Sequence, residues 1–110
     1  MVITGTAVRV VNVKYSDDYT VYIGRANPRY GLRHSIWANA HRIGKECTRE
    51  QAVERYRRDI EQKPWLLKRL GELRGQILGC WCAPREGLTS ADPVVCHGQV
   101  LAQLVEALPE

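Results

Sequence analysis

The period of the apolar residues switches along this chain, and the switch limits the folds open to it. Residues 6–14, Thr-Ala-Val-Arg-Val-Val-Asn-Val-Lys, alternate and are rich in valine, which predicts a strand. Residues 15–19, Tyr-Ser-Asp-Asp-Tyr, have turn chemistry. Residues 20–24, Thr-Val-Tyr-Ile-Gly, predict a second strand that ends on a glycine. These two strands can form a hairpin or both enter a parallel sheet. Helical spacing begins at Thr48, which forms a capping box with Gln51 and is followed by Val53, Tyr56 and Ile60 on one face. Pro64 suits the first position of a second helix, Leu66, Leu70 and Leu73 form its apolar stripe, and Gly75 suits its C-terminal cap. Strand character returns over Gln76 to Cys82 and stops at Pro84, and residues 85–91 read as a polar loop. A last helix starts either at Asp92-Pro93 or near Cys96-His97, and Val100, Leu101, Leu104, Val105 and Leu108 give its buried face.

Alternating strands and helices predict the α/β class: a small open sheet of about three strands with about three helices, in a Rossmann-like layer arrangement. The chain has 110 residues, which is enough for one core and one domain, residues 1–110. If the second and third strands are parallel, their C-terminal ends share an edge. Open α/β sheets bind ligands at that edge. Gly24, Arg25, the Cys80-Trp81-Cys82 segment and the start of the last helix would all arrive there.

Residues 25–47 have no helical or strand period and contain Pro28, Gly31 and Gly44. A stretch this long without regular structure is usually functional inside a compact domain. It carries Arg25, Arg29, Arg33, Arg42 and Lys45 against a single acid, Glu46. Residues 48–74 carry eight basic and five acidic residues, so the middle of the chain holds the whole positive excess of the net +4. Such clustering attracts phosphate, on a mononucleotide or a polymer, unless it is merely solvated surface. No window of 18 apolar residues exists, so no membrane span is expected, and no secretory signal is visible at the N-terminus. A cytoplasmic location is the expectation. Four cysteines in a reducing compartment make disulfides unexpected, and leave core filling, metal ligation or thiol reactivity.

The strongest cluster is Cys80-x-Cys82 with Cys96-His97. Residues i and i+2 of a strand share a face, so Cys80 and Cys82 present their sulfurs side by side. The following loop is long enough to return Cys96 and His97 to them. Thiolates with an imidazole nitrogen suit zinc, and suit an iron–sulfur cluster less well. Adjacent ligands such as Cys96 and His97 rarely both reach one metal from a helix, so three cysteines with His97 or water as the fourth ligand is the more natural set. Cys47 is a further candidate without a place. The alternatives are reduced core cysteines, or a reactive Cys96 at a helix start.

Elsewhere, Gly24 permits close backbone approach and Arg25 can grip a phosphate through two parallel hydrogen bonds. Trp37 can stack on a base or anchor the long loop to the core, and Asn39 can read a polar base edge. Trp81, between two cysteines, is expected to point away from them into the core. Arg55, Arg57 and Arg58 read as a solvated helix face, and His34 and His41 as single loop histidines. No Ser-His-Asp set, P-loop, G-x-G-x-x-G or H-E-x-x-H is present.

Several of these segments coincide with a known pattern. Val21-Tyr22-Ile23-Gly24-Arg25, Trp37-Ala38-Asn39, the Tyr56-Arg57 helix, the run from Leu73 through Leu78-Gly79-Cys80-Trp81-Cys82 to Pro84, and Cys96-His97-Gly98 together resemble a family named only as domain of unknown function 4326, which occurs in phages and bacteria. The resemblance covers roughly residues 20–106, with Ala40 where the family usually has proline. It implies no established activity. It does imply that Gly24, Arg25, Trp37, Asn39, Cys80, Cys82, Cys96 and His97 form one site.

The resulting expectation is a small protein that binds a nucleotide-like or phosphate-bearing ligand at the strand C-terminal edge. Arg25 would hold phosphate, Trp37 would stack, Asn39 would hydrogen-bond, and Cys80, Cys82, Cys96 and His97 would form the floor, with zinc as the candidate metal. The partner would be a nucleotide-like small molecule or a nucleic acid. The competing expectations are a metal- or Cys96-dependent enzyme acting on a nucleotide or base, and a non-catalytic protein-interaction module.

Overall fold

The two N-terminal strands do not pair with each other. In the computed structural model, which describes residues 8–40 and 47–108, a third strand lies between them. In chain order the elements are β1 (Arg9–Asn12), β2 (Val21–Tyr22), a 3-10 turn (Pro28–Tyr30), α1 (Arg49–Glu61), α2 (Pro64–Leu67), a second 3-10 turn (Leu70–Leu73), β3 (Ile77–Cys80), β4 (Leu88–Thr89) and α3 (His97–Glu106). This is an α/β structure with a four-stranded mixed sheet of order β2-β3-β1-β4. β3 runs parallel to β1 and to β2, and β4 runs antiparallel to β1.

The expected three strands are therefore four. β4 comes out of the segment expected as polar loop, and pairs Leu88 with Val10 and Thr89 with Arg9. A strand of two residues is too short to show alternation, and only the open edge of β1 reveals it. The strand expected over 6–14 is regular over Arg9–Asn12, and residues 6 and 7 lie outside the described residues. The helix expected from Pro64 to Gly75 is split into α2 and a 3-10 turn. The last helix starts at the later of its two candidate positions, with Cys96 as its N-cap. Thr48 and Gln51 form the expected capping box on α1. Of the long loop, residues 25–40 hold a 3-10 turn and the bridge between Asn27 and Leu32, and residues 41–46 lie outside the described residues.

The strand register assigns the faces. Val10 pairs with Leu78, Val21 pairs with Leu78, and Asn12 pairs with Cys80. These side chains, with Ile23 beyond the end of β2, look toward α3, because residues two apart share a face. α3 sits close on them. A Cβ on Gly98 would lie 2.8 Å from a Val10 methyl and 3.0 Å from the end of Ile23, so only glycine allows this separation. α1 packs in turn on α3, where Arg57 donates to the Gln103 side chain at 2.7 Å. The opposite face of β3 is covered by the return of the chain from β1 to β2, which crosses at Gly79. Val10, Ile23, Leu78, Ile60, Leu73 and Leu101 are fully buried, and Tyr56 nearly so, in the core that results. Among the described residues, no helix is long and apolar enough to cross a membrane.

Candidate functional site

Parallel strands β2 and β3 end side by side, and α3 begins at the same edge. That edge collects the candidate residues. β3 ends at Cys80, and the chain turns through Trp81 and Cys82. The turn is held from below by Asn12, whose amide donates to the carbonyls of Trp81 at 3.2 Å and Ala83 at 2.8 Å. The Sγ atoms of Cys80 and Cys82 are 3.5 Å apart, side by side as expected, although Cys82 stands in the turn beyond the end of β3 and not on the strand. Cys96 returns to them across 14 residues. Its Sγ lies 3.0 Å from that of Cys80, and lies at disulfide-bonding distance from that of Cys82, with the two Cα atoms 5.5 Å apart. A disulfide was not the expectation, and this pair meets its backbone requirement. All three sulfurs lie within 4.8 Å of one another. Cys47 is buried but is not part of this group.

His97 is 6% exposed. Its Nε2 lies 2.9 Å from the carbonyl of Ile23, and its Nδ1 lies 3.6 Å from Cys82 Sγ. A carbonyl only accepts, so the imidazole proton sits on Nε2. Nδ1 then turns its lone pair toward Cys82. Tyr56 packs edge-on against the ring, with centroids 4.9 Å apart. Burial holds the His97 pKa down at about 4, with Arg25 adding to the effect and the Ile23 carbonyl opposing it. Burial likewise pushes the Cys80 thiol up to about 11. Adjacent residues Cys96 and His97 both face the cluster because Cys96 is the cap and not yet helical. That is how the objection to adjacent ligands on a helix is escaped.

The start of α3 is fixed by Gln99, a residue the sequence reading did not single out. Gln99 is fully buried. Its Oε1 accepts from the backbone N–H of Val95 and of Cys96, and its Nε2 donates to the carbonyls of Thr89, Asp92 and Pro93. Glutamine three residues after a cysteine reads as a capping box only once cysteine is allowed as the cap.

Beside the cluster opens a cavity of about 570 Å³. Gly24, Arg25, Asn39, Trp81, Cys82 and His97 line it, together with Arg49 on the first turn of α1. Six of the eight residues expected to form one site are in this wall or in the sulfur cluster beneath it through their side chains, and Gly24 contributes backbone. Trp37 is the exception. It is 3% exposed in the core, and its carbonyl accepts from the Tyr56 hydroxyl at 2.7 Å. It anchors the long loop and does not reach the cavity. The aromatic side chain that does is Trp81, expected to be core. β3 ceases to be regular after Cys80, so alternation no longer governs where Trp81 points. Its indole N–H donates to the Tyr22 hydroxyl at 2.7 Å, and Tyr30 packs edge-on against it at 4.9 Å. The Tyr22 hydroxyl in turn donates to the carbonyl of Arg25. Asn39 donates to the Ala52 carbonyl of α1 at 3.1 Å.

Arg49 was missed as well. Its guanidinium donates to the carbonyls of Cys82 at 3.1 Å and Val95 at 3.0 Å, and so ties the two cysteine-bearing segments together. A cation in the first turn of a helix opposes the helix dipole, and that local anomaly was the available signal. Arg55 and Arg58 are exposed as expected, whereas Arg57 bridges to α3. His34 is exposed, and His41 lies outside the described residues.

The buried neutral imidazole has a measurable consequence in the metal-free protein. The folded-state value of His97 lies below its ordinary 6.5, so between about 6.5 and about 4 the unfolded chain binds a proton the folded chain refuses. Stability is therefore complete above the upper value and is lost as the pH falls toward the lower one. The loss is about 3 kcal/mol at most. Urea unfolding at several pH values checks it: His97→Gln should flatten the slope in this window, and an unchanged slope would assign it to other groups.

The family model described as Domain of unknown function (DUF4326) matches residues 9–107. No curated protein and no solved structure matches the chain.

Proposed function

Since the chain belongs to the DUF4326 family, whose description carries no activity, we propose from the site alone that it binds a nucleotide-like, phosphate-bearing small molecule in the cavity at the ends of β2 and β3. The observation that carries this reading is the character of the wall. Arg25 and Arg49 supply two guanidiniums, and no carboxylate lines the cavity among the described residues. An anion is the ligand such a wall favours, and arginine matches phosphate through paired hydrogen bonds. Trp81 offers the aromatic surface, taking the stacking role first given to Trp37, and Asn39 lies in the same wall. The volume suits a mononucleotide, since small-molecule cavities run from about 300 to 1,000 Å³. A nucleic-acid end is the alternative source of the same chemistry.

The sulfur cluster supplies the floor. Cys80, Cys82 and Cys96 are the soft donors zinc prefers, and His97 Nδ1 is a fourth donor whose tautomer is already fixed by the Ile23 carbonyl. Zinc with sulfur ligands has S–S edges of about 3.8 Å, from a Zn–S bond of about 2.3 Å. The Cys80 sulfur would move slightly from its 3.0 and 3.5 Å separations, whereas Cys82 and Cys96, at disulfide-bonding distance, must first be reduced and their sulfurs parted to accept it. Zinc there would hold the turn after β3 against the start of α3, and so fix the cavity wall.

Calorimetric titration of untagged protein, analysed for metal in parallel, tests both parts. The panel is inorganic phosphate, mononucleotides, cyclic dinucleotides and short oligonucleotides. A mononucleotide should bind saturably, and Arg25→Ala should weaken it about tenfold, the loss of one charge-assisted hydrogen-bond pair. No saturable binding, or affinity indifferent to Arg25→Ala, would remove the ligand reading. About one equivalent of zinc, lost in Cys80→Ser, supports the metal centre, and its absence would return these sulfurs to thiol chemistry.

A further inference from the structure

We propose that Cys82 is an oxidant-sensitive thiol whose partner is Cys96, so that this site exists in a dithiol state and a disulfide state. The inference goes beyond ligand binding and does not require the cavity to hold a nucleotide. Two observations carry it. Cys82 is half-buried and lines the open cavity, whereas Cys80 and Cys96 are fully buried. A small oxidant arriving through the cavity therefore meets Cys82 first. Cys82 and Cys96 are at disulfide-bonding distance with Cα atoms 5.5 Å apart, so bond formation asks no backbone movement.

The chemistry balances with a hydroperoxide. The Cys82 thiolate attacks one oxygen of hydrogen peroxide, the O–O bond breaks, and the departing hydroxide takes up the thiol proton as water. Two electrons have passed from sulfur to peroxide, and Cys82 is a sulfenic acid. Cys96 sulfur then attacks Cys82 sulfur, the S–O bond breaks, and the leaving hydroxide carries away the Cys96 proton as a second water. A dithiol reductant reverses the bond by exchange. The two states exclude each other as metal centres. The disulfide removes two of three sulfur donors and leaves Cys80 alone, so oxidation discharges a bound metal. The change falls on the wall of the cavity, because Cys82 and His97 both line it.

The test uses the full chain, reduced with dithiothreitol, freed of reductant without air, and exposed to a few equivalents of hydrogen peroxide. Thiols are counted in denaturant, and linked peptides are mapped by mass spectrometry after alkylation. Free thiols should fall from four to two, the linkage should join Cys82 to Cys96, and dithiothreitol should restore all four. Cys82→Ser, at a half-buried position that tolerates the change, should slow thiol loss about tenfold or more, because susceptibility follows access. Cys47→Ser should behave as the parent does. Four persistent thiols, a linkage that omits Cys82, or a Cys82→Ser variant that oxidises as fast as the parent would each overturn the proposal. Disulfide formation in protein that never held zinc would leave it standing while the metal reading falls.

Discussion

Gln99→Leu is expected to cost about 3 kcal/mol or more of folding stability, although the two side chains differ little in volume. The loss is polar. Gln99 is fully buried and satisfies two backbone N–H groups, at 2.7 Å (Val95) and 3.1 Å (Cys96), and three carbonyls at 3.0 to 3.2 Å. Leucine fills the space and answers none of them. A buried group left without a partner costs about 1–3 kcal/mol. Some of the five carbonyl and amide groups would recover water, because the 89–95 segment is partly exposed, which keeps the sum below the additive limit. Gln99→Glu should lie between parent and leucine variant, since a carboxylate still accepts from both amides but no longer donates. Urea melts give the three stabilities. If the site binds as proposed, the same variants should weaken that binding, because Gln99 holds Cys96 and the helix start that presents His97. A leucine variant as stable as the parent would show that other bonds set this loop.

Gly79→Ala should lower stability by about 2 kcal/mol, whereas Gly71→Ala should be neutral or slightly stabilising. The contrast isolates close approach from the general effect of glycine on the unfolded chain. A Cβ at Gly79 would lie 2.6 Å from Cγ and 2.8 Å from Cβ of Tyr19, and 2.8 Å from a Val13 methyl. The near atoms of Tyr19 are at the base of its side chain, so they cannot swing aside without the backbone. The segment crossing β3 has to lift, and overpacking of that kind costs about 1–3 kcal/mol. At Gly71, an exposed position of the second 3-10 turn, an added Cβ meets nothing within 4 Å. Equal effects at the two positions would mean that the crossing segment does not press on β3.

The Gln99 bonds are local and the Gly79 contacts join distant parts of the chain, and the same division separates what could be read in advance from what could not. Local order was legible. The Thr48–Gln51 capping box, the valine alternation of β1, the side-by-side sulfurs of Cys80 and Cys82, and the buried face of α3 each involve residues within a few positions of one another. The geometry of the cap, of β1 and of α3 follows from backbone period, as did the α/β class, whereas the sulfur pair reaches past the end of β3 and the family pattern was legible only as a resemblance of residue strings. Membership of Cys96 and His97 in the sulfur cluster was also expected, because a single loop joins them to β3.

Which aromatic faces the cavity was settled only by the tertiary structure. Trp37 and Trp81 are equally amphipathic as residues. One is core because Tyr56 takes its carbonyl, and the other reaches the cavity because β3 ends one residue before it. Arg49 gained its position from two carbonyls in segments 33 and 46 residues away. β4 pairs with the edge of β1 that β3 does not occupy, and the segment between β1 and β2 approaches β3 closely at Gly79. Sequence period fixes the direction of a side chain relative to its own strand or helix. It carries no information about which other segment stands in that direction, and here that placement built the site.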